Sequence, residues 1–472
     1  MSKLPDVGEI CYICIAMSQH SVNGNINQLA TRPVGRLLWD YSLPAVVGML
    51  VMSLYNVIDR IFIGRGVGAD AIAGLAITFP VMNVAAALGV LIGAGGASRT
   101  SIMLGQHDLH GAEQVLGNSL VLILINATVY LTCFAVWLDD ILMAFGASHA
   151  TLPYARDFML YILPGMLMMN ISFSFNNIMR ASGYPMRAMV TMFIGAGVNV
   201  VLAPIFIFVL GWGIKGAAIA TDIAMTISAI FVMWHFFMPD STVRFRRGIY
   251  RLRWHIVIGI VGIGAAPAVV NAASSAINAI INTTLYRYGG DAAVGAAGIF
   301  TTYTSLICTI VVGLCQGMQP VIGYNYGAGL LDRMRRTFWL AVGVASAFTV
   351  VGCAFGLLFP RWIAMAFTTD TTLIDVTVHG LSLALLMFWV VGFQIISTTF
   401  FQSIGKAGKS IFLSLTRQVL FLIPLLLFLP GRLGLDGVWL SFPASDLFAT
   451  VVTTAMIWWE LRTLELSRRP LQ

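Results

Sequence analysis

Apolar residues in this chain come in blocks of twenty or more, separated by short polar breaks, and that spacing leaves little choice of solvent. A helix of about 20 residues crosses the hydrocarbon core of a bilayer, and inside lipid it satisfies all its backbone groups without help. Of 472 residues, 58% are hydrophobic and 10% charged, against about a quarter charged in soluble proteins. The expected fold is therefore all-α and integral to the membrane. About twelve transmembrane helices are expected, at 37–63, 71–99, 114–137, 152–180, 187–210 and 215–238, then at 255–286, 292–323, 337–359, 376–402, 409–430 and 436–459.

An even number of spans places both termini on one side, and basic residues say which side. Alternate loops divide the 27 Lys and Arg as 20 against 7. The richer set, which includes Arg180, Arg417 and the five arginines of loop 239–254, is expected to be cytoplasmic, with both termini. The net charge of +7 is thus topogenic, and no nucleic-acid partner is implied. Localisation to a bacterial inner membrane, as a multi-pass monomer in contact with lipid, is expected. No cleaved signal peptide is visible. Cys11 and Cys14 form a CxxC near His20, short of the four ligands of a closed zinc site.

The arginine loop divides the chain into an N-terminal tail (1–35), an N-lobe (36–238), the basic linker (239–254), a C-lobe (255–460) and a C-terminal tail (461–472). A shift of 221 or 222 residues aligns the lobes weakly. Asp70-Ala71-Ile72-Ala73-Gly74 falls on Asp291-Ala292-Ala293-Val294-Gly295, Gly183 on Gly405 and Gly216 on Gly437. With six spans each, both lobes enter the membrane in the same sense. Two pseudo-symmetric six-helix lobes around a central cavity are expected, a transporter architecture. Gly405-Lys406-Ala407-Gly408-Lys409-Ser410 has the end of a phosphate-binding loop, but Ser403 stands where the motif needs its first glycine. It reads as a basic turn. With no ATPase or HExxH signature, the chain is not expected to be an enzyme, and an ion gradient is the expected energy source.

A carboxylate within a span is costly and marks a functional candidate. Asp59, Asp222 and Asp446 qualify. Counted from the outer span ends at 1.5 Å per residue, Asp59 lies roughly 6 Å deep, Asn199 about 16 Å, and Thr221 and Asp222 about 10 Å. Spans one, five and six thus carry polar side chains in the outer half of one lobe. For Asp59 and Asp222 a fixed polar cap at the rim, with Arg60 or Lys215, is the alternative to a coupling role. For the lone acid Asp446, the alternatives are a functional carboxylate and a packed, hydrogen-bonded acid.

LPAVVGMLVMSLYNVIDRIFIG in the first span, NNIMRASGYP at 176–185, NVVLAPIFIF at 199–208 and GIKGAAIAT at 213–221 together resemble the multidrug and toxic compound extrusion family, over roughly residues 35 to 460. The absence of acids from spans seven and ten resembles its DinF/MepA-type branch. The resemblance implies secondary active export of amphipathic, often cationic, small-molecule drugs in exchange for H+ or Na+, with no other cofactor. It implies a cation site on Asp59, Asn199, position 203 and Thr221, with a possible Na+ at Asp59 and a hinge in the first helix at Pro44. Position 203 departs from the pattern, since Leu202-Ala203-Pro204 replaces the usual LDP. Asp222 is the candidate to compensate, sharing the coupling role with Asp59, although it lies about 100° around an ideal helix from Thr221. Asn176, Asn177 and Asp446 are candidates for the substrate cavity; for the two asparagines, interhelical hydrogen bonds are the alternative. A lipid-linked oligosaccharide flippase of the same superfamily is the rival reading, which several arginines in the central cavity would favour. A membrane-embedded enzyme or a structural subunit is the other alternative.

Overall fold

The computed structural model describes residues 28–66, 69–144 and 151–466, so the CxxC tail lies outside the described residues. Its spans are α1 (Val34–Gly66), α2 (Ala69–Gly105), α3 (Leu109–Ala144), α4 (Leu152–Ala181), α5 (Pro185–Pro204) and α6 (Gly213–His235). A continuous helical stretch, Trp254–Gly327, follows. Its 74 residues would reach about 110 Å if straight, far beyond the ~30 Å hydrocarbon core. It turns back at Gly290, whose φ of 64° and ψ of −161° are non-helical. It is therefore two crossings, α7 (254–289) and α8 (291–327). Then come α9 (Leu331–Leu358), a bent α10 (Thr371–Ala384 with Phe388–Ser403), α11 (Ala407–Leu433) and α12 (Leu435–Leu466).

The α10 bend of 56° frees backbone carbonyls, and neighbouring side chains take them. Thr349 Oγ1 donates to the Trp389 carbonyl at 2.9 Å, and Cys353 Sγ to that of Leu385 at 3.1 Å. In lipid such partners are obligatory. The outer surface supplies the complementary evidence for a bilayer. Trp254, Leu358 and Phe428 are each more than 70% exposed, as lipid-facing side chains should be and core residues should not.

The weak internal repeat is physical. Gly183 and Gly405, 222 residues apart, both follow a helix C-terminus at positive φ, 101° and 77°; a side chain there would be strained. Gly105 on α2 packs on the Tyr324 carbonyl of α8, and Gly327 on the Ile102 carbonyl of α2. These two contacts exchange under the same 222-residue shift, so they straddle the pseudo-two-fold axis. A π-helical turn interrupts α-geometry along the fifth span of each lobe, at Ile205–Val209 beyond α5 and at Thr416–Leu422 within α11, but not at equivalent positions under that shift.

Close approaches between lobes gather in the half of the molecule nearest the arginine loop. There Gly95 meets Ile260, Gly264 meets Leu91, Gly313 meets Val46 and Gly317 meets Ser42. Small residues let helix backbones approach in this way. The apparent phosphate loop is also resolved: Lys406 and Lys409 both bind buried Glu460, which is 0% exposed.

Candidate functional site

Two separate polar sites result from this packing. The first lies inside the N-lobe, where α1, α5 and α6 meet. Asn199 is 1% exposed and donates from Nδ2 to Thr221 Oγ1 at 2.9 Å; Thr221 in turn donates to the Ala217 carbonyl at 3.0 Å. Tyr55, one turn before half-buried Asp59, interacts with both Thr221 and Asp59. Asn199, Thr221, Tyr55 and Asp59 are thus linked in one chain of polar contacts that includes an amide oxygen, a carboxylate and two hydroxyls. That is an oxygen donor set suited to a proton or a hard cation. Tyr55 was not singled out by the sequence, although its i, i+4 spacing from Asp59 places both on one helix face.

Ala203 and Asp222 do not complete this group. Ala203 is fully buried in an apolar cluster with Ile63, Ile207, Ala217 and Ala220. Asp222 turns the other way: its carboxyl packs on Gly165 of α4, beside Pro164. Consecutive helix positions diverge by about 100°, so span six presents Thr221 to α5 but Asp222 to α4, and the structure does not bring Asp222 to Asn199 and Thr221 as a shared site with Asp59 would need. Lys215, the rim partner considered for Asp222, pairs instead with Asp157 at 3.1 Å. Pro44 lies within a helix that continues through it.

The second site is a cavity of about 600 Å³ between the lobes, within the range of small-molecule pockets. Met49, Phe173 and Val270 give it apolar wall, and Asn177, Gln316, Gln319, Gln394 and Gln402 give it amides. The structure thus places Asn177, a candidate for the substrate cavity, in this wall. Asn176 does not; it is 6% exposed, and its Nδ2 donates to the Ala188 carbonyl at 2.6 Å. Behind both asparagines, Arg180 donates to Asn176 at 2.9 Å, to Asn177 at 3.3 Å and across the lobes to Gln316 at 2.5 Å. That guanidinium is buried, 2% exposed, rather than lying free in a loop.

Arg417 is a second correction to the loop tally. It lies within α11, and its Nε donates to Asp446 Oδ1 of α12 at 2.7 Å. Asp446 is consequently not a lone acid but half of an ion pair, which is how charges are usually tolerated in a bilayer. It lines a smaller adjoining pocket in the C-lobe, while Arg417 lines both that pocket and the central cavity. No Asp or Glu is among the described residues that line the central cavity. The carboxylates behind the expectation of cationic compounds are therefore not among its described lining residues.

Comparison with known proteins gives the following. The MatE family model matches the chain twice, over residues 44–205 and 267–427, starting each time at a proline. The chain is 25% identical to the multidrug export protein MepA of Staphylococcus aureus, over 88% of this chain and 92% of MepA. It is 24% identical to the FAD transporter of Shewanella oneidensis, over 89% of this chain and 93% of that protein. The fold is similar to that of a solved MOP-superfamily transporter from Pyrococcus furiosus, with a TM-score of 0.87 and 25% identity over 93% of this chain and 98% of that one.

Proposed function

We propose that this chain, which belongs to the MatE family of multi-pass membrane transporters, is a secondary active exporter of amphipathic organic molecules, driven by antiport of H+ or Na+. The observation that carries this reading is the separation of two sites: an organic-sized cavity between the lobes, and an oxygen-lined cluster of Asp59, Asn199 and Thr221 within one lobe. An antiporter needs both, and it needs an element that senses both. Helix α1 is suited to that role. It carries Asp59 in one half, while Ser42 and Val46 in its other half pack on Gly317 and Gly313 of α8. Pro44 lies between those contacts and cannot donate to the carbonyl one turn earlier, which makes it the natural bending point.

Coupling then follows from differential affinity: an ion shifts the balance of two conformations only as far as it binds one better. Filling the Asp59 cluster favours one packing of α1 and emptying it the other. With the arginine loop cytoplasmic, as the bias of basic residues supports, the close contacts between lobes lie at the cytoplasmic end of a bacterial inner-membrane protein, which supports a cavity filled from outside in this conformation. The names of the relatives divide between drug export and FAD transport, and both readings use the same cavity. The flippase reading calls for several cavity arginines, whereas Arg417 is the single one among the described lining residues.

The test is efflux of ethidium and of fluorescein from energised cells, with and without a protonophore and with sodium replaced. Extrusion of either dye that collapses under one of these treatments is expected, and the treatment names the ion. If neither dye leaves faster than from cells lacking the protein, or efflux resists both treatments, the antiporter reading is wrong.

A further inference from the structure

We infer that Arg417 is an anion-docking fork in the wall of the central cavity, and that the molecules carried include organic compounds bearing a phosphate or carboxylate. The assignment rests on the exporter reading for the use of that cavity. Its basis is the asymmetry of the Arg417–Asp446 pair. The acid side chain is 5% exposed and the arginine side chain 31%, and of the two only the arginine lines the central cavity. Only Nε is used, in the bond to Asp446. The two terminal nitrogens meet no protein acceptor among the described residues, although they are the pair of parallel donors that matches a carboxylate or phosphate.

The fork is also held still. Ser445 Oγ donates to the Arg417 carbonyl at 2.6 Å, within the π-helical turn of α11. Gln394 Nε2 donates to the Asp446 carbonyl and to Thr450 Oγ1, each at 2.7 Å. Single π-turns are often found at functional sites. A pair serving only to join α11 to α12 would gain nothing from placing its arginine in the cavity wall. A cationic ligand would meet this group with no carboxylate in the described lining to offset it, whereas the lining amides of Gln316 and Gln418 can donate to an anion's remaining oxygens.

Riboflavin and flavin mononucleotide share one ring system and differ by a phosphate, which isolates the charge. Their binding, and that of ethidium, can be read by fluorescence on the full-length protein in phosphatidylcholine nanodiscs. A preference for flavin mononucleotide over riboflavin of about tenfold or more is expected from one charge-assisted bidentate contact. Arg417→Gln should erase that preference. Because this variant leaves Asp446 buried without its partner and can fail to fold, Asp446→Asn is the companion. It removes the competing acid, and the preference should persist or widen. Equal binding of the two flavins, no binding of flavin mononucleotide, tighter binding of ethidium, or a preference that survives Arg417→Gln or is lost in folded Asp446→Asn would each overturn the inference. Displacement of flavin mononucleotide by added phosphatidylglycerol would give the fork to a lipid headgroup and overturn the assignment to a carried solute. Dye efflux is read separately: charge-blind flavin binding with intact efflux refutes the fork and leaves the exporter, and absent efflux with Arg417-dependent binding does the reverse.

Discussion

Asp59 and Asp222 are both carboxylates in outer halves of spans, yet their neighbours give them different work. Asp59 shares Tyr55 with Thr221, and Thr221 is bonded to Asn199. Asp222 packs on the Gly165 backbone of α4, away from that group. Asp59→Asn should therefore abolish ion-driven dye efflux while the protein still reaches the membrane. Asp222→Asn should keep the pH or sodium dependence of efflux and alter chiefly the thermal midpoint, since what it changes is an α4–α6 contact. If Asp222→Asn shifts the pH profile of transport instead, the two acids share the coupling after all. Asn199→Ala removes the donor to Thr221 and should weaken ion coupling by roughly the 0.5–1.5 kcal/mol of one hydrogen bond, seen as a several-fold rise in the ion concentration that half-activates efflux.

At the scale of elements, α2 and α8 are the pair whose approach depends most on missing side chains. A Cβ on Gly105 would collide with the Tyr324 carbonyl, and one on Gly327 with that of Ile102. Both obstacles are backbone, which cannot rotate aside. Gly105→Val should cost at least the 1–3 kcal/mol typical of overpacking, lower the melting temperature in detergent and hold the arginine-loop end apart. An unchanged melting temperature together with unchanged transport would count against this packing. The Arg180–Gln316 bond of α4 to α8 closes the same end by a different force. Gln316→Ala removes a charge-assisted hydrogen bond, worth about 1.5–3 kcal/mol, and should shift the population towards opening at that end. Spin-label distances between positions 107 and 329, in two loops at that end, should broaden and lengthen; an unaltered distribution would mean the bond does not latch the lobes.

For the whole molecule, the pseudo-two-fold repeat and the basic loops fix different things. The repeat makes two equivalent lobes, and the distribution of Lys and Arg chooses which face of the pair is cytoplasmic. A cysteine at exposed position 247, in the arginine loop, should resist a membrane-impermeant maleimide until cells are permeabilised. One at exposed position 370, on the opposite face, should react at once. Inverted labelling would reverse the orientation and with it the direction in which the cavity opens.

Hydrophobic block length determined the fold class and the number of crossings, because lipid leaves a helix as the one way to bury a lone segment's backbone. Spacing determined the repeat, and residue type at a given depth picked out Asp59, Asn199 and Thr221. The sequence could not say which way Asp222 points, since a rotation of one residue about a helix is invisible until its neighbours are known. The span expected at 409–430 already held Arg417, but a count by loops could not reveal that it pairs with Asp446. A charge is read as belonging to a loop or to a cavity only when its partner is seen, and that partner is 29 residues away on another helix. Tertiary structure alone decided which acids are paired, which lies beside Thr221 and Tyr55, and that the described lining of the central cavity includes Arg417 and no carboxylate.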